Sequence, residues 1–599
     1  MLPAVKALGE HVCKTTNIKE ESRFVESSKL KDIKNVLCIN FNFTNGTLVY
    51  AGLFSEAFDQ NQATKYLYRV FSHRRFEVTP TSKMSNPEKL KKRFTLWFKQ
   101  CCSKYLQDYE EPDSSLLQAL KNEFMGKIDQ IFSDIDERFK TLSKDEIQNT
   151  IVTITIDSEK RLGDLAVFRE ILKKEACSGY YAKHNVESKG KGKCYLCGEE
   201  KEVLGFASPF PVYTVDQKGF APNFLQWDAW KRLPLCLNCA ILSSVGKEFV
   251  ENHLLKGFYG IKFYVVPSFA LKFDDSVLDY IKKPRKSYWA IVGNEDDISE
   301  IMADRSDQAT LTFVFIKPEK ATFRIVRYVE DVPPSYLREI KKFIKKLIGS
   351  DEQQWPIFKE SLLKIIFGDK NFVGDLTVRD ISIGGLIQPF FPHSKYEGIY
   401  DKYFIDLVSD ILAQRKIRSR FLIEGFARAL RASFVKGDEQ RTKELALKSL
   451  MLILLTRNFN LLKGWSEEPF MPSEETNEFS DFFNQYKNAF SSASKQAVFL
   501  EGVLAKFLMD VQYANRQSSP FSDKLYGLRI DERRAKKLFP EIIEKLREYK
   551  MAYPSLEAAT SKALLEAENK GWNLAADEVS YFFTLGMILA PIFKKKAGE

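Results

Sequence analysis

The chain has 599 residues, 44% apolar and 13% aromatic, which places it well outside the disordered class. A chain of this length exceeds what one hydrophobic core usually supports, so two to four domains are expected. Its 90 Lys and Arg against 80 Asp and Glu leave a formal net charge of +10, a mild excess that suits a nucleic-acid partner only where it is concentrated.

In chain order, Met1-Leu2-Pro3-Ala4-Val5-Lys6 lacks the basic and apolar regions of a secretory signal. Residues 35–43 (NVLCINFNF) and 47–51 read as strands joined by a Thr44-Asn45-Gly46 turn, an Asn-Gly hairpin signal. Residues 87–146 read as helical and charge-rich. Residues 150–157 (TIVTITID) alternate β-branched side chains and predict a strand. The Gly-Lys stretch 188–193 (SKGKGK) reads as a flexible loop.

Further strands are predicted at 261–266, 288–292, 311–316 and 322–329, with helical periods from Pro334 and almost only helix beyond Ile399. The fold class expected is α+β: a mixed α/β N-terminal region holding an inserted cysteine module, then an all-α C-terminal bundle. The boundaries expected are 1–187, 188–260, 261–397 and 398–599. The apolar runs 450–455 and 581–593 fall short of the roughly eighteen residues a spanning helix needs, and Pro591 interrupts the second. A soluble, cytoplasmic protein without membrane contact is expected, so its nine cysteines read as thiols or metal ligands.

Cys194-Tyr-Leu-Cys197-Gly has the form of a zinc knuckle, because two thiolates separated by two residues can reach one ion and Gly198 permits the tight turn. Cys236-Leu-Asn-Cys239 supplies a second pair. Four cysteine ligands leave no position for water, so the Zn2+ expected is structural rather than catalytic. The 38 residues between the pairs are rich in aromatics. Phe210, Tyr213, Phe220, Phe224, Trp227 and Trp230 read mostly as the small core that the metal staples. Polar Gln217, Lys218 and Asn223 in this insert, with Lys189, Lys191 and Lys193 on the Gly-Lys stretch, are candidates for partner contact.

The excess charge is concentrated in two stretches. Residues 411–436 hold Arg415, Lys416, Arg418, Arg420, Arg428, Arg431 and Lys436 against Glu424 alone. Residues 83–104 hold seven cations against Glu88, with Trp97 and Phe98 interleaved. Such density suits phosphate neutralisation or a solvated helix face. Catalytic signatures are missing. The histidines at 11, 73, 184, 253 and 393 form no metal-binding motif, and neither a phosphate-binding loop nor a nucleophile elbow occurs. Glu295-Asp296-Asp297 lacks the order of a polymerase palm turn. A non-enzyme is expected.

The order GKCYLCGEEKEV, YTVDQKGFAPNF, AWKRLPLCLNCA, followed by FLEGVLAKFL, KLYGLRIDERRAKKLFPEIIEKLREY and EVSYFFTLGMILA, resembles the large subunit of type I-B CRISPR Cascade complexes (the Cas-eight-b family). The resemblance implies a non-catalytic subunit of an RNA-guided surveillance complex. Its implied partners are crRNA, target double-stranded DNA, the backbone, handle-binding and small subunits, and a helicase–nuclease recruited after target binding. It further implies recognition of the protospacer-adjacent motif (PAM) and help in opening the duplex. It implies too that residues 471–599 resemble a small subunit, for whose separate synthesis Met471 is the candidate internal start. The rival readings are an inactive polymerase-like large subunit of a type III effector and a stand-alone zinc-binding nucleic-acid protein.

Overall fold

The computed structural model describes residues 1–15, 24–44, 47–70, 77–183, 186–211, 218–258, 261–269, 278, 309–319, 323–348, 358, 364, 383–392, 401–465 and 478–594. Tyr213, Gln217, the expected strand at 288–292, the acidic triplet at 295–297 and Met471 lie outside them. The chain divides into two compact units, Leu2–Phe249 and Val250–Glu599.

In the first unit, β1 (Asn35–Thr44) and β2 (Thr47–Ala57) form the hairpin that the Asn-Gly signal predicted, with β2 six residues longer than expected. β3 (Ser82–Lys83) and β4 (Thr150–Ile156) complete the order β2-β1-β4-β3. β4 runs parallel to β1, and all seven of its residues are buried. That explains its β-branched composition, since a strand covered on both faces needs no polar side.

The covering layer comprises α2 (Pro87–Leu96), α3 (Asp113–Gly126), α4 (Ile128–Thr141) and α5 (Ala166–Ser178). β2 is an edge strand, and the helices guard it: the Tyr50 amide donates to Glu123 at 3.0 Å and its hydroxyl to Asp134 at 2.7 Å. Trp97 and Phe98, which the sequence placed among cations, are buried. Phe98 stacks on Phe124 with centroids 4.2 Å apart, and Trp97 donates its indole N–H to the Val78 carbonyl at 2.8 Å. The helix turns the neighbouring charges outward, where Lys91 pairs with Asp129 and Lys104 with Glu175.

The stretch read as a flexible loop is instead a strand. β5 (Lys189–Lys193) pairs antiparallel with β6 (Glu200–Leu204), and β7 (Leu235–Cys236) joins the far side of β6. Glycine there serves packing rather than mobility. A Cβ on Gly190 would sit 2.3 Å from the Trp230 indole, and one on Gly192 would sit 3.3 Å from it. The alternation of Gly and Lys is therefore a strand pattern, one face bare so that a tryptophan can lie on it and the other carrying the ammonium groups.

The second unit holds the antiparallel sheet β8 (Leu255–Phe258), β9 (Ile261–Phe269), β10 (Ala309–Pro318) and β11 (Phe323–Val332) in sequential order, then α7 (Pro334–Ile348). Its helices α8 (Asp401–Leu412), α9 (Ser419–Val435), α10 (Glu439–Asn458), α11 (Ala493–Arg516), α12 (Glu532–Glu548), α13 (Pro554–Lys570) and α14 (Ala576–Leu589) follow.

α11 and α14 cross at two glycines. A Cβ on Gly502 would meet the Phe583 carbonyl oxygen at 2.0 Å, and one on Gly586 the Phe499 carbonyl oxygen at 1.9 Å, so no other residue lets the backbones approach. Residues Ala576–Phe593 are apolar and long enough to cross a bilayer, but 67% of that stretch is buried inside the unit, as a core helix is.

Candidate metal centre and nucleic-acid interface

The two C-x-x-C pairs converge. The sulfurs of Cys194, Cys197, Cys236 and Cys239 lie within 4.8 Å of one another, with Cys197 and Cys236 Sγ 3.9 Å apart. The first pair sits on the turn between β5 and β6. Gly198, at φ 73°, closes that turn by donating its amide to the Cys194 carbonyl at 2.9 Å. The second pair begins at the end of β7 and enters the first turn of α6 (Leu237–His253), whose positive end favours thiolate.

Cys194 is buried, which alone would raise its pKa. The amides of Cys236, Cys197 and Leu196 outweigh that and bring it down to about 6, the Cys236 amide lying 3.3 Å from Sγ. Cys236 is pushed up by burial, and Cys239 by burial and by the sulfurs of Cys236 and Cys194. Cys194 thus ionises readily while Cys236 and Cys239 resist. A bound cation supplies the charge that lets all four ionise, and a closed set of four cysteines fits one tetrahedral ion. The donor set and its spacing are compatible with one structural metal ion.

α1 (Leu2–Thr15) packs on α6, where a Cβ on Gly9 would meet the Leu242 carbonyl oxygen at 1.9 Å. This brings Lys6 near the sulfurs. Its ammonium, bonded first to Glu10 at 2.8 Å, also feels Cys239 and Cys197. Lys201, paired with Glu199, feels Cys197 and Cys236.

Lys189, Lys191 and Lys193 lie on one face of β5. In register, Lys191 faces Glu202 and Lys193 faces Glu200, and the Lys189 ammonium lies 4.3 Å from the Tyr181 ring centroid. Lys218 opens the turn Lys218–Phe220. Asn223 is exposed in a left-handed backbone conformation (φ 55°), with its amide 3.4 Å from Asp228.

The insert's aromatics divide. Phe210 is buried and Trp230 covers β5, as a small core requires, whereas Phe220, Phe224 and Trp227 are 43%, 71% and 58% exposed. The expectation that they are mostly core holds only for the first two. No sequence signal separated the two groups, because both have the same residue types in one stretch.

The basic stretch of the second unit is largely engaged. Arg415 pairs with Asp410 at 2.8 Å, Lys416 bonds Asn460 Oδ1 at 2.8 Å, and Arg420 pairs with Glu424 at 3.0 Å. Arg428 donates to the Phe390 carbonyl at 2.7 Å. Arg431 donates to the Leu528 carbonyl at 3.1 Å, to Asp577 at 2.6 Å and to Ser580 at 3.2 Å, tying α9 to α14. Arg418 is exposed just before α9, on a cleft of about 550 Å3 that also holds Lys416 and Arg420 beside Asp406, Asp410 and Glu424. Counting charge along the chain missed the acidic partners that folding brings in.

A search of curated proteins returned no match. Three family models match in succession: the CRISPR-associated protein TM1802 N-terminal domain over residues 1–174, its central domain over 191–332 and its C-terminal domain over 385–599. The central match takes in all four cysteines, and together the three cover most of the sequence. The chain belongs to the CRISPR-associated TM1802 family.

Proposed function

We propose that the protein is the non-catalytic large subunit of a type I-B RNA-guided DNA surveillance complex. Its role is to bind crRNA and target DNA, read the PAM, help open the duplex there and offer a docking surface to the helicase–nuclease. The observation that carries this reading is the ordered match of all three TM1802 domains along one chain. The sequence adds support through the resemblance of its cysteine module and closing helices to that subunit. The ion at the four cysteines is Zn2+, for which this donor set is typical, and its role is structural. The protein acts in the cytoplasm.

The test is expression from the complete operon with an affinity tag on this chain. Co-purification of a guide RNA with the backbone and handle-binding subunits is expected. A monomer free of RNA and partners overturns the reading.

A further inference from the structure

We infer that the segment Lys218–Lys231, beside the metal site, is a stacking platform for unpaired nucleotide bases; the inference rests on the nucleic-acid reading above. Three consecutive turns, Lys218–Phe220, Pro222–Phe224 and Gln226–Lys231, carry one exposed ring each: Phe220, Phe224 and Trp227. The module does not need them for its core. Val203, Leu204, Ala207, Leu235 and Ala240 pack around the cysteines, with Trp230 against them.

The backbone that displays these rings is strained. Asn223 and Phe224 both take positive φ, 55° and 60°. Asn tolerates this region, but for Phe224 it costs about 1–2 kcal/mol, and the 71% exposed ring gains little burial to offset it. Strain of this kind persists where surrounding bonds over-determine it, commonly at functional positions. Such bonds are present. Asn223 reaches Asp228, Arg232 donates to the Phe220 carbonyl, and Ser188 Oγ donates to the Trp227 carbonyl at 2.9 Å while accepting from the Trp230 amide at 3.1 Å. The backbone that carries the rings is therefore held in place.

Charge selects the occupant. Residues 218–232 carry Lys218, Lys231 and Arg232 against Asp228, and because Lys231 pairs with Asp228 at 2.7 Å the net excess of two positive charges rests on Lys218 and Arg232. The Arg232 guanidinium lies 6.0 Å from the Phe220 ring and the Lys231 ammonium 5.4 Å from the Trp230 ring. Open aromatic faces in a stretch of net positive charge suit a polyanion whose bases are unstacked, because every base has a π-face while a duplex keeps its bases occupied with one another. The lysines of β5 are a weaker phosphate site. Ser188, Gly190 and Gly192 turn toward this segment, so Lys189, Lys191 and Lys193 lie on the opposite face, two of them facing glutamates.

The experiment measures binding of the purified full-length chain to a fluorescein-labelled oligothymidylate and to a blunt duplex across a salt series. Phe224→Ala and Trp227→Ala are each expected to weaken single-strand binding roughly tenfold, to leave the salt slope unchanged and to alter duplex binding little. Because both rings are exposed, metal content and melting temperature should match the wild type, which separates lost contact from lost fold. If the wild type binds the oligonucleotide and both variants bind it within about twofold as well, the inference fails while the nucleic-acid reading stands. The inference fails in the same way if the variants lose a protein partner in the operon pull-down and keep oligonucleotide affinity. A wild type that binds no nucleic acid and co-purifies with none overturns both.

Discussion

At the scale of single residues, the structure separates side chains that look alike in sequence. Gly190 and Gly192 alternate with lysines in the same strand, yet a Cβ at the first would penetrate the Trp230 indole while one at the second would only crowd it. Gly190→Val is expected to destabilise the first unit by about 1–3 kcal/mol and Gly192→Ala by less than about 1 kcal/mol. Thermal melting followed by tryptophan fluorescence checks this, and equal effects would mean that Trp230 does not lie on the strand. Arg418 and Arg431 are likewise both basic residues of one stretch. Arg431→Ala removes three hydrogen bonds, one of them to a carboxylate, and should lower the stability of the second unit by about 2–3 kcal/mol. Arg418→Ala should leave stability unchanged. Chemical denaturation of the two variants gives the comparison.

At the scale of elements, α11 carries a group that conflicts with its surroundings. Glu501 is fully buried, and neither carboxylate oxygen has a hydrogen-bond partner among the described residues. Burial raises its pKa well above the ordinary carboxylate value. In the unfolded chain the group loses its proton above about pH 4.3. In the folded chain it keeps the proton to higher pH. Its contribution is thus most favourable below the unfolded pKa and declines as pH rises toward the folded one, by up to about 1.4 kcal/mol per pH unit. Glu501→Gln should melt with the wild type near pH 4 and at a higher temperature near pH 8. Parallel melting curves at both pH values would show that the carboxyl is solvated. The element scale also shows where strand and loop were confused. Residues 188–193 combine glycine, which sequence rules assign to turns, with lysine, which they assign to solvent. Only the partner strand and the covering tryptophan reveal a pleated period of two.

At the scale of the whole molecule, the four-cysteine site and the helical bundle belong to different compact units. Cys236→Ser, or removal of metal by a strong chelator, should unfold the β5–β6–β7 module and release the segment between the cysteine pairs. The helical content of Val250–Glu599 should survive. Metal analysis is expected to give one ion per wild-type chain and a large loss in the variant, because a missing thiolate opens the closed site. Circular dichroism should show a preserved helical transition. Loss of both together would show that the units do not fold separately.

By itself the sequence determined what depends on local spacing and residue type. The four cysteines are legible because C-x-x-C fixes two sulfurs within reach of one ion. The β1–β2 hairpin, β4 and the C-terminal helices are legible because periods of two and 3.6 follow directly from backbone geometry. Tertiary structure alone decided which aromatics of the insert are core and which stand in solvent, since residue type does not record what covers a ring. It also decided that most cations of 411–436 are engaged within the fold, because Asp410, Asn460, Asp577 and the Phe390 and Leu528 carbonyls come from outside that stretch. Long-range proximity is set by packing, and packing has no period to read.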